Sequence, residues 1–371
     1  MLGGGTTGSV IASRLTENPR VKVLVLEAGS DGNVLSLIPA AGPLMWWDSN
    51  FDYRYTSEPQ EDSCLALEGG RCRWFRGRML GGSSALNGAM YTRGNHKDYD
   101  NWAALGNPGW SFRDLLPLFL RAENFLVKDV PTRDAIYHES NRHRGYFPVS
   151  YTHFSELLPA FIEAGESLGF PHNRDYNGAS QRGFSGLQQA VKDGIRYSTA
   201  LAYLVPGKHR KNLHVVVNTI VSRIVIDEST KTAKGVEYLA EDGTKRFVSA
   251  RKEVILSAGA IASPQILMLS GIGPKEELRR HGIRPFLDLR VGENMQSHYG
   301  SGGIYFSIEK STGFMLPRLF TTDFVSTVLQ FVLRGEEHKS GWMSTLILIS
   351  TQEYQNDLPL PPPVLEPREE E

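Results

Sequence analysis

Gly3, Gly5 and Gly8 stand at Gly-x-Gly-x-x-Gly spacing in Gly3-Gly4-Gly5-Thr6-Thr7-Gly8. With that spacing the chain bends tightly, lets a pyrophosphate approach its backbone and points a helix N-terminus at the negative charge. Glu27 follows about 20 residues later, at the end of an apolar run, where a carboxylate accepts hydrogen bonds from ribose hydroxyls. A glycine turn alone also serves as an ordinary strand-to-helix connection, so the strand and Glu27 carry the weight. Two further stretches have the small residues that a closely approaching ligand requires: Gly77-Arg78-Met79-Leu80-Gly81-Gly82-Ser83-Ser84-Ala85-Leu86-Asn87-Gly88 and Ser257-Ala258-Gly259-Ala260.

The elements that position these residues follow from periodicity. Ser9 to Asn18 has helical composition, and Val21 to Leu26 reads as a buried parallel strand. Only Met1 and Leu2 precede the turn, whereas a strand of roughly five or six residues belongs there. The chain is therefore expected to begin inside its own nucleotide-binding unit and to lack most of that first strand. Leu213 to Val217, Val221 to Ile226, Gly235 to Leu239 and Lys245 to Val248 read as strands, with Asp242-Gly243 as a turn. Glu253 to Leu256 reads as a further buried strand leading into the small residues at Ala258 and Gly259.

Between these lie a long irregular excursion from Gly29 to Arg76 and two helical stretches. The excursion carries Trp46-Trp47 and Phe51-Asp52-Tyr53-Arg54-Tyr55, read chiefly as aromatic anchors to the core, with cofactor shielding as the alternative. Asn101 to Asn124 reads as helix in two pieces, with Ser111 as an N-cap, and Tyr151 to Leu168 reads as helix ending at Gly169. Cys64 and Cys72 flank a Gly69-Gly70 turn; a disulfide and two free thiols both fit this spacing. A disulfide would favour an oxidising, extracellular setting.

The 40 basic and 41 acidic residues leave a formal charge of -1, which argues against nucleic acid as a partner. No apolar run reaches the roughly 18 residues of a membrane span; Phe324 to Leu333 is too short. His138 and His143, five apart, do not share a helical face, so no metal site is expected there. The proline-rich, then acidic stretch 359–371 is expected to be disordered.

Four segments together resemble the glucose-methanol-choline (GMC) oxidoreductases, and most of all their arthropod glucose-dehydrogenase-like branch. They are the Gly3 to Gly8 turn with Glu27, the Gly77 to Tyr91 stretch, Gly259 to Gly273, and Val291 to His298. The resemblance implies an α/β FAD-binding Rossmann-like domain (1–144 and 208–293) and an α+β substrate domain built on an antiparallel sheet (145–207 and 294–358). It implies FAD and a small-molecule alcohol or sugar oxidised at a CH–OH group by hydride transfer to flavin N5. Gly3, Gly5, Thr6, Thr7 and Gly8 would then cradle the pyrophosphate, and Glu27 would hold the adenosine ribose. Gly81, Gly82, Asn87, Gly88, Ala89 and Met90 would line the flavin side. Val221 would meet adenine through its backbone, and Ala258 and Gly259 would pass near the adenosine-pyrophosphate portion.

The family's catalytic histidine segment has no counterpart here, because no histidine follows His338. No catalytic residue is therefore assigned. His298 lies in a family motif, but Ser297 stands where aspartate is usual, and it reads as structural. A truncated FAD oxidoreductase is the main expectation, and a non-catalytic flavoprotein-like module is the alternative. A nicotinamide-dependent dehydrogenase would leave the Gly77 and Gly259 segments without a purpose. Without a full first strand, the chain alone is expected to fold poorly or hold FAD weakly.

Overall fold

The computed structural model describes residues 1–127, 137–138, 145–151 and 157–298. The glycine turn enters helix α1 (Thr6–Thr16), whose buried face of Gly8, Ser9, Ala12, Ser13 and Thr16 is small enough to lie close to strand β1 (Val23–Leu26). The excursion contains the short helix α2 (Gly42–Met45) and a ribbon of β2 (Tyr55–Thr56) with β3 (Arg73–Trp74), paired antiparallel. Its far end is closed by a Cys64–Cys72 disulfide, and Gly69 and Gly70 turn the chain at φ 64° and 65°.

Helix α3 (His96–Ala104) begins before the expected Asn101, because the Asn95 side chain accepts the Lys97 amide and caps it. Ser111 caps α4 (Phe112–Ala122) as expected, accepting the Asp114 amide at 3.3 Å. Strand β4 (Glu123–Phe125) then runs parallel to β5 (Phe147–Tyr151). The helix expected from Tyr151 starts later, as α5 (Leu158–Ser167). Tyr151 instead pairs with Gln188 of β6 (Gln188–Gln189), so sheet pairing overrides the local helical pattern. A hairpin of β7 (Val191–Lys192) and β8 (Ile195–Arg196) and the short helix α6 (Val205–Gly207) follow.

The expected strands appear as β9 (Leu213–Val216), β10 (Ile220–Asp227), β11 (Thr232–Leu239) and β12 (Lys245–Ser249), the last three forming an antiparallel sheet. Helix α7 (Gly259–Leu269), β13 (Ile272–Gly273), α8 (Lys275–Arg280) and β14 (Leu287–Asp288) complete the described chain. The disorder expected for 359–371, and all but 294–298 of the expected substrate-domain segment 294–358, lie outside the described residues.

One expectation about the parallel sheet needs correction, the strand read over Glu253 to Leu256. Leu2 bridges Leu26 on one side and Leu256 on the other, both in parallel. Its amide donates to the Ile255 carbonyl at 2.9 Å, and its carbonyl accepts the Ser257 amide at 2.9 Å. Leu2 thus lies between β1 and the Ile255 backbone, bridged to each side. Glu253–Leu256, read as a strand, is reduced to one bridge, from Leu256 to Leu2. On its other side β1 pairs parallel with β9, from Val23 with Leu213 to Leu26 with Val216.

Side chains of β1 alternate between two cores, as the period of 2 requires. Val23 and Val25 pack with Ala12 of α1, Ala200, Leu204 and Leu213. Leu26 packs on the opposite face with Leu2, Ile224, Val236 and Ile266, which joins α7 and the antiparallel sheet to the parallel one. The result is a helix, sheet and mixed-layer arrangement in which the C-terminal end of β1 opens towards the starts of α1 and α7.

Candidate dinucleotide site

A cavity of about 890 Å³ lies at that end, within the usual range for cofactor sites. Gly3, Gly5, Thr6 and Thr7 line it from the turn, Ala258 and Gly259 from the start of α7, Val221 from β10 and Gly82 from the second glycine stretch. Neither α1 nor α7 has a side-chain cap at its N-terminus. The first N–H groups of a helix have no intrahelical acceptor and carry the positive end of its dipole, so both starts favour an anion in the space between them.

The glycines divide by what each one permits. A Cβ on Gly8 would lie 2.1 Å from the Gly3 carbonyl oxygen, and one on Gly82 would lie 2.9 Å from the Gly5 Cα; Gly3 itself sits at φ +94°. These three let backbone cross backbone. Gly5 is different: a Cβ there would meet only the Gly82 Cα, at an ordinary 3.7 Å. Protein packing does not require glycine at position 5, and the bare backbone leaves that part of the wall open to a close ligand.

Glu27 is buried at the end of β1, as expected. One carboxylate oxygen accepts the Gly4 amide at 2.8 Å and the other accepts the Gly29 amide at 2.9 Å. Burial raises its pKa, while those amide bonds pull it back. Each oxygen retains acceptor capacity, and the residue lines the cavity, so a hydroxyl of a bound ribose can still be met. Val221 precedes a register shift between Val221 and Arg223, a bulge that re-aims the β10 backbone beside the cavity.

The remaining expected residues stand behind or beside this wall. Gly8 and Gly81 support it from behind: the Gly81 amide donates to the Gly4 carbonyl at 2.9 Å, and Thr6 Oγ1 donates to the Gly81 carbonyl at 3.2 Å. Asn87, Gly88, Ala89 and Met90 lie outside the cavity lining. The β6–β8 region holds them in a fixed turn. Asn87 Oδ1 accepts the Ala89 amide at 2.9 Å and Arg196 Nη1 at 3.1 Å, while Gln189 Nε2 donates to the Gly88 carbonyl at 3.2 Å. Arg196 is fully buried, its other bond goes to the Pro39 carbonyl, and no carboxylate pairs with it among the described residues. Burial lowers its pKa to about 10, which leaves it a cation at neutral pH.

Reading the sequence missed Arg196 and Gln189, and it ranked the cavity-facing role of the excursion's aromatics second to core anchoring. Trp46, Phe51 and Phe75 do anchor that excursion, packing on Met45 and Met79. Tyr53, Tyr55, Arg76 and Arg78, however, line the cavity beside Glu27. His298 is exposed. His138 belongs to a separate buried cluster, with Nδ1 2.8 Å from Glu123 and Nε2 2.7 Å from Asp175, while Arg93 lies 2.6 Å from the second Glu123 oxygen. His143 lies outside the described residues, and among those described no helix is long and apolar enough to cross a membrane.

The family model described as GMC oxidoreductase matches residues 1–300. The chain belongs to the GMC oxidoreductases. This GMC chain is 45% identical over 300 residues to a glucose dehydrogenase [FAD, quinone] of Drosophila pseudoobscura pseudoobscura, covering 80% of this chain and 47% of that protein. It is 38% identical over 305 residues to an oxygen-dependent choline dehydrogenase of Vibrio vulnificus, covering 80% of this chain and 51% of that one. Among solved structures, pyridoxine 4-oxidase from Mesorbium loti superposes with a TM-score of 0.69 at 32% identity, over 77% of this chain and 54% of that one. The chain therefore spans about half the length of the GMC relatives it matches, and the described architecture is the GMC FAD-binding fold.

Proposed function

We propose that this chain carries the FAD-holding part of an oxidoreductase acting on the CH–OH group of a small alcohol or sugar. The observation that carries the reading is the cavity itself: two uncapped helix starts face it, with Gly5 bare on its wall and Glu27 at its rim. Amides at Gly5, Thr6 and Thr7 hold the pyrophosphate, Gly3 and Gly8 shape the turn that presents them, and the start of α7 at Ala258 and Gly259 adds a second positive end. Glu27 accepts from the adenosine ribose, and the bulged backbone at Val221 meets adenine. Gly81 and Gly82 set the path of the chain towards Asn87, Gly88, Ala89 and Met90, which present backbone to the flavin side. Bound FAD supplies the hydride acceptor for the alcohol carbon. Residues 1–144 with 208–293 serve the cofactor, and 145–207 with 294–358 the substrate. The Cys64–Cys72 bridge favours an extracellular setting.

The test is the visible absorption spectrum of the purified chain, followed by analysis of what denaturation releases. A flavin spectrum with release of FAD is the expected result. A folded, colourless protein that takes up no added FAD would overturn the reading.

A further inference from the structure

The excursion separates its aromatic residues into two sets. Trp46 stacks on Phe75 at 4.7 Å between centroids, within the cluster of Met45, Met79 and Leu86, and this set explains how the excursion is held. Tyr53 and Tyr55 stand outside that cluster. Their rings are nearly parallel, 6° apart with centroids at 5.2 Å, and both line the cavity.

Their placement is fixed by backbone rather than by packing alone. The Tyr53 amide donates to the Arg76 carbonyl at 3.0 Å, the Arg78 amide donates to the Phe51 carbonyl at 2.7 Å, and Tyr55 pairs with Trp74. The ribbon thereby holds Tyr53 beside Glu27, with the Arg78 guanidinium 5.9 Å from the Tyr53 ring centre. No hydrogen bond engages the Tyr53 hydroxyl among the described residues. Burial, with Glu27 adding to it, pushes this phenol well above its ordinary pKa, so at neutral pH it remains a proton donor. Arg76 and Arg78 bring positive charge to the same wall. A flat ring, a free donor and nearby cations match a purine nucleoside carrying phosphate.

We propose that Tyr53, backed by Tyr55 and Arg78, is the adenosine-recognising wall of the cavity, and that it makes the site select an adenine dinucleotide over a flavin mononucleotide. This rests on the reading of Glu27 as the ribose partner and adds a specificity role for residues that the glycine motifs do not include.

The experiment is calorimetric titration of the whole chain, first stripped of bound flavin, with FAD, ADP and FMN in turn, for the native sequence and for Tyr53→Ala and Tyr53→Phe. Removing the ring weakens both FAD and ADP about tenfold, the scale of losing one base–aromatic contact, and leaves FMN binding unchanged. Removing only the hydroxyl weakens both about threefold, the scale of one hydrogen bond. Undiminished ADP and FAD affinity in Tyr53→Ala would overturn the proposal, as would an equal loss for FMN. Should Tyr53→Ala fail to fold, Tyr53→Phe decides the matter, since unchanged ADP affinity there removes the proposed donor. A chain that binds ADP in a Tyr53-dependent way but takes up no flavin would refute the proposed function and leave this wall standing.

Discussion

Around the cavity, two helix starts have no side-chain cap and Gly5 carries no side chain where packing would accept one. Around Glu123, by contrast, Arg93, His138 and Asp175 hold one another at 2.6 to 2.8 Å in a region closed to solvent. Asp175 also accepts Gln188 Nε2 at 2.8 Å, Phe125 stacks on the His138 ring at 3.6 Å, and Arg93 Nε is the donor left over there. Both regions contain buried polarity, but only the first leaves whole groups of donors aimed at open space. Unspent hydrogen-bonding capacity beside a cavity marks a place for a ligand, whereas a nearly saturated cluster marks a joint that holds strands and loops together.

The contrast breaks most sharply at Glu123. In Glu123→Ala the buried Arg93 loses its carboxylate, and the expected cost is about 3–5 kcal/mol in denaturant unfolding. Per folded molecule, flavin content should not change; a loss of flavin without a loss of stability would erase the distinction between the two regions. Gly8→Ala probes the other side. Its Cβ cannot fit against the Gly3 carbonyl, so the turn must shift, costing roughly 1–3 kcal/mol and abolishing flavin uptake in a spectrum of the folded fraction.

A smaller effect comes from pH. Burial alone would lower the His138 pKa, but its bonds to Asp175 and Glu123 outweigh this and raise it above the ordinary 6.5. Its stabilisation is therefore fully present below that value and is lost as pH rises through the raised folded value. For Glu123, burial alone would raise the pKa, but the bonds to His138 and Arg93 bring it below 4.5, so its contribution is lost only as pH falls through that lowered value. The stability gap between the native chain and His138→Gln should shrink as pH is raised from about 6 to about 9 in parallel denaturant titrations. A gap that grew over this interval would show that the imidazole is buried neutral.

How much of this was legible depended on the range of each interaction. The Gly3 to Gly8 turn, Glu27, the Ser111 cap and the strands from Leu213 to Ser249 follow from local periodicity and turn chemistry, and they fell where expected within a few residues. Arg196 bonds to Asn87 across 109 positions, and Arg93, Glu123, His138 and Asp175 meet only through tertiary folding. Nothing near Arg196 in sequence reports its partner. Tyr53 belonged to an aromatic run whose members divide between core and cavity only once β2 and β3 pair. The helix expected at Tyr151 failed for the same reason, since sheet pairing with Gln188 decided that residue.

The double bridge at Leu2 also governs the motion of the sheet. The amides of Leu2 and Ser257 and those of Gly3 and Leu26 are held by bonds to or across this short segment. Disengaging Met1 and Leu2 would release all four at once and separate β1 from the Ile255 side. These amide protons should therefore exchange with deuterium as one cooperative set, at a rate set by local opening of this short pairing rather than by unfolding of the layers around it.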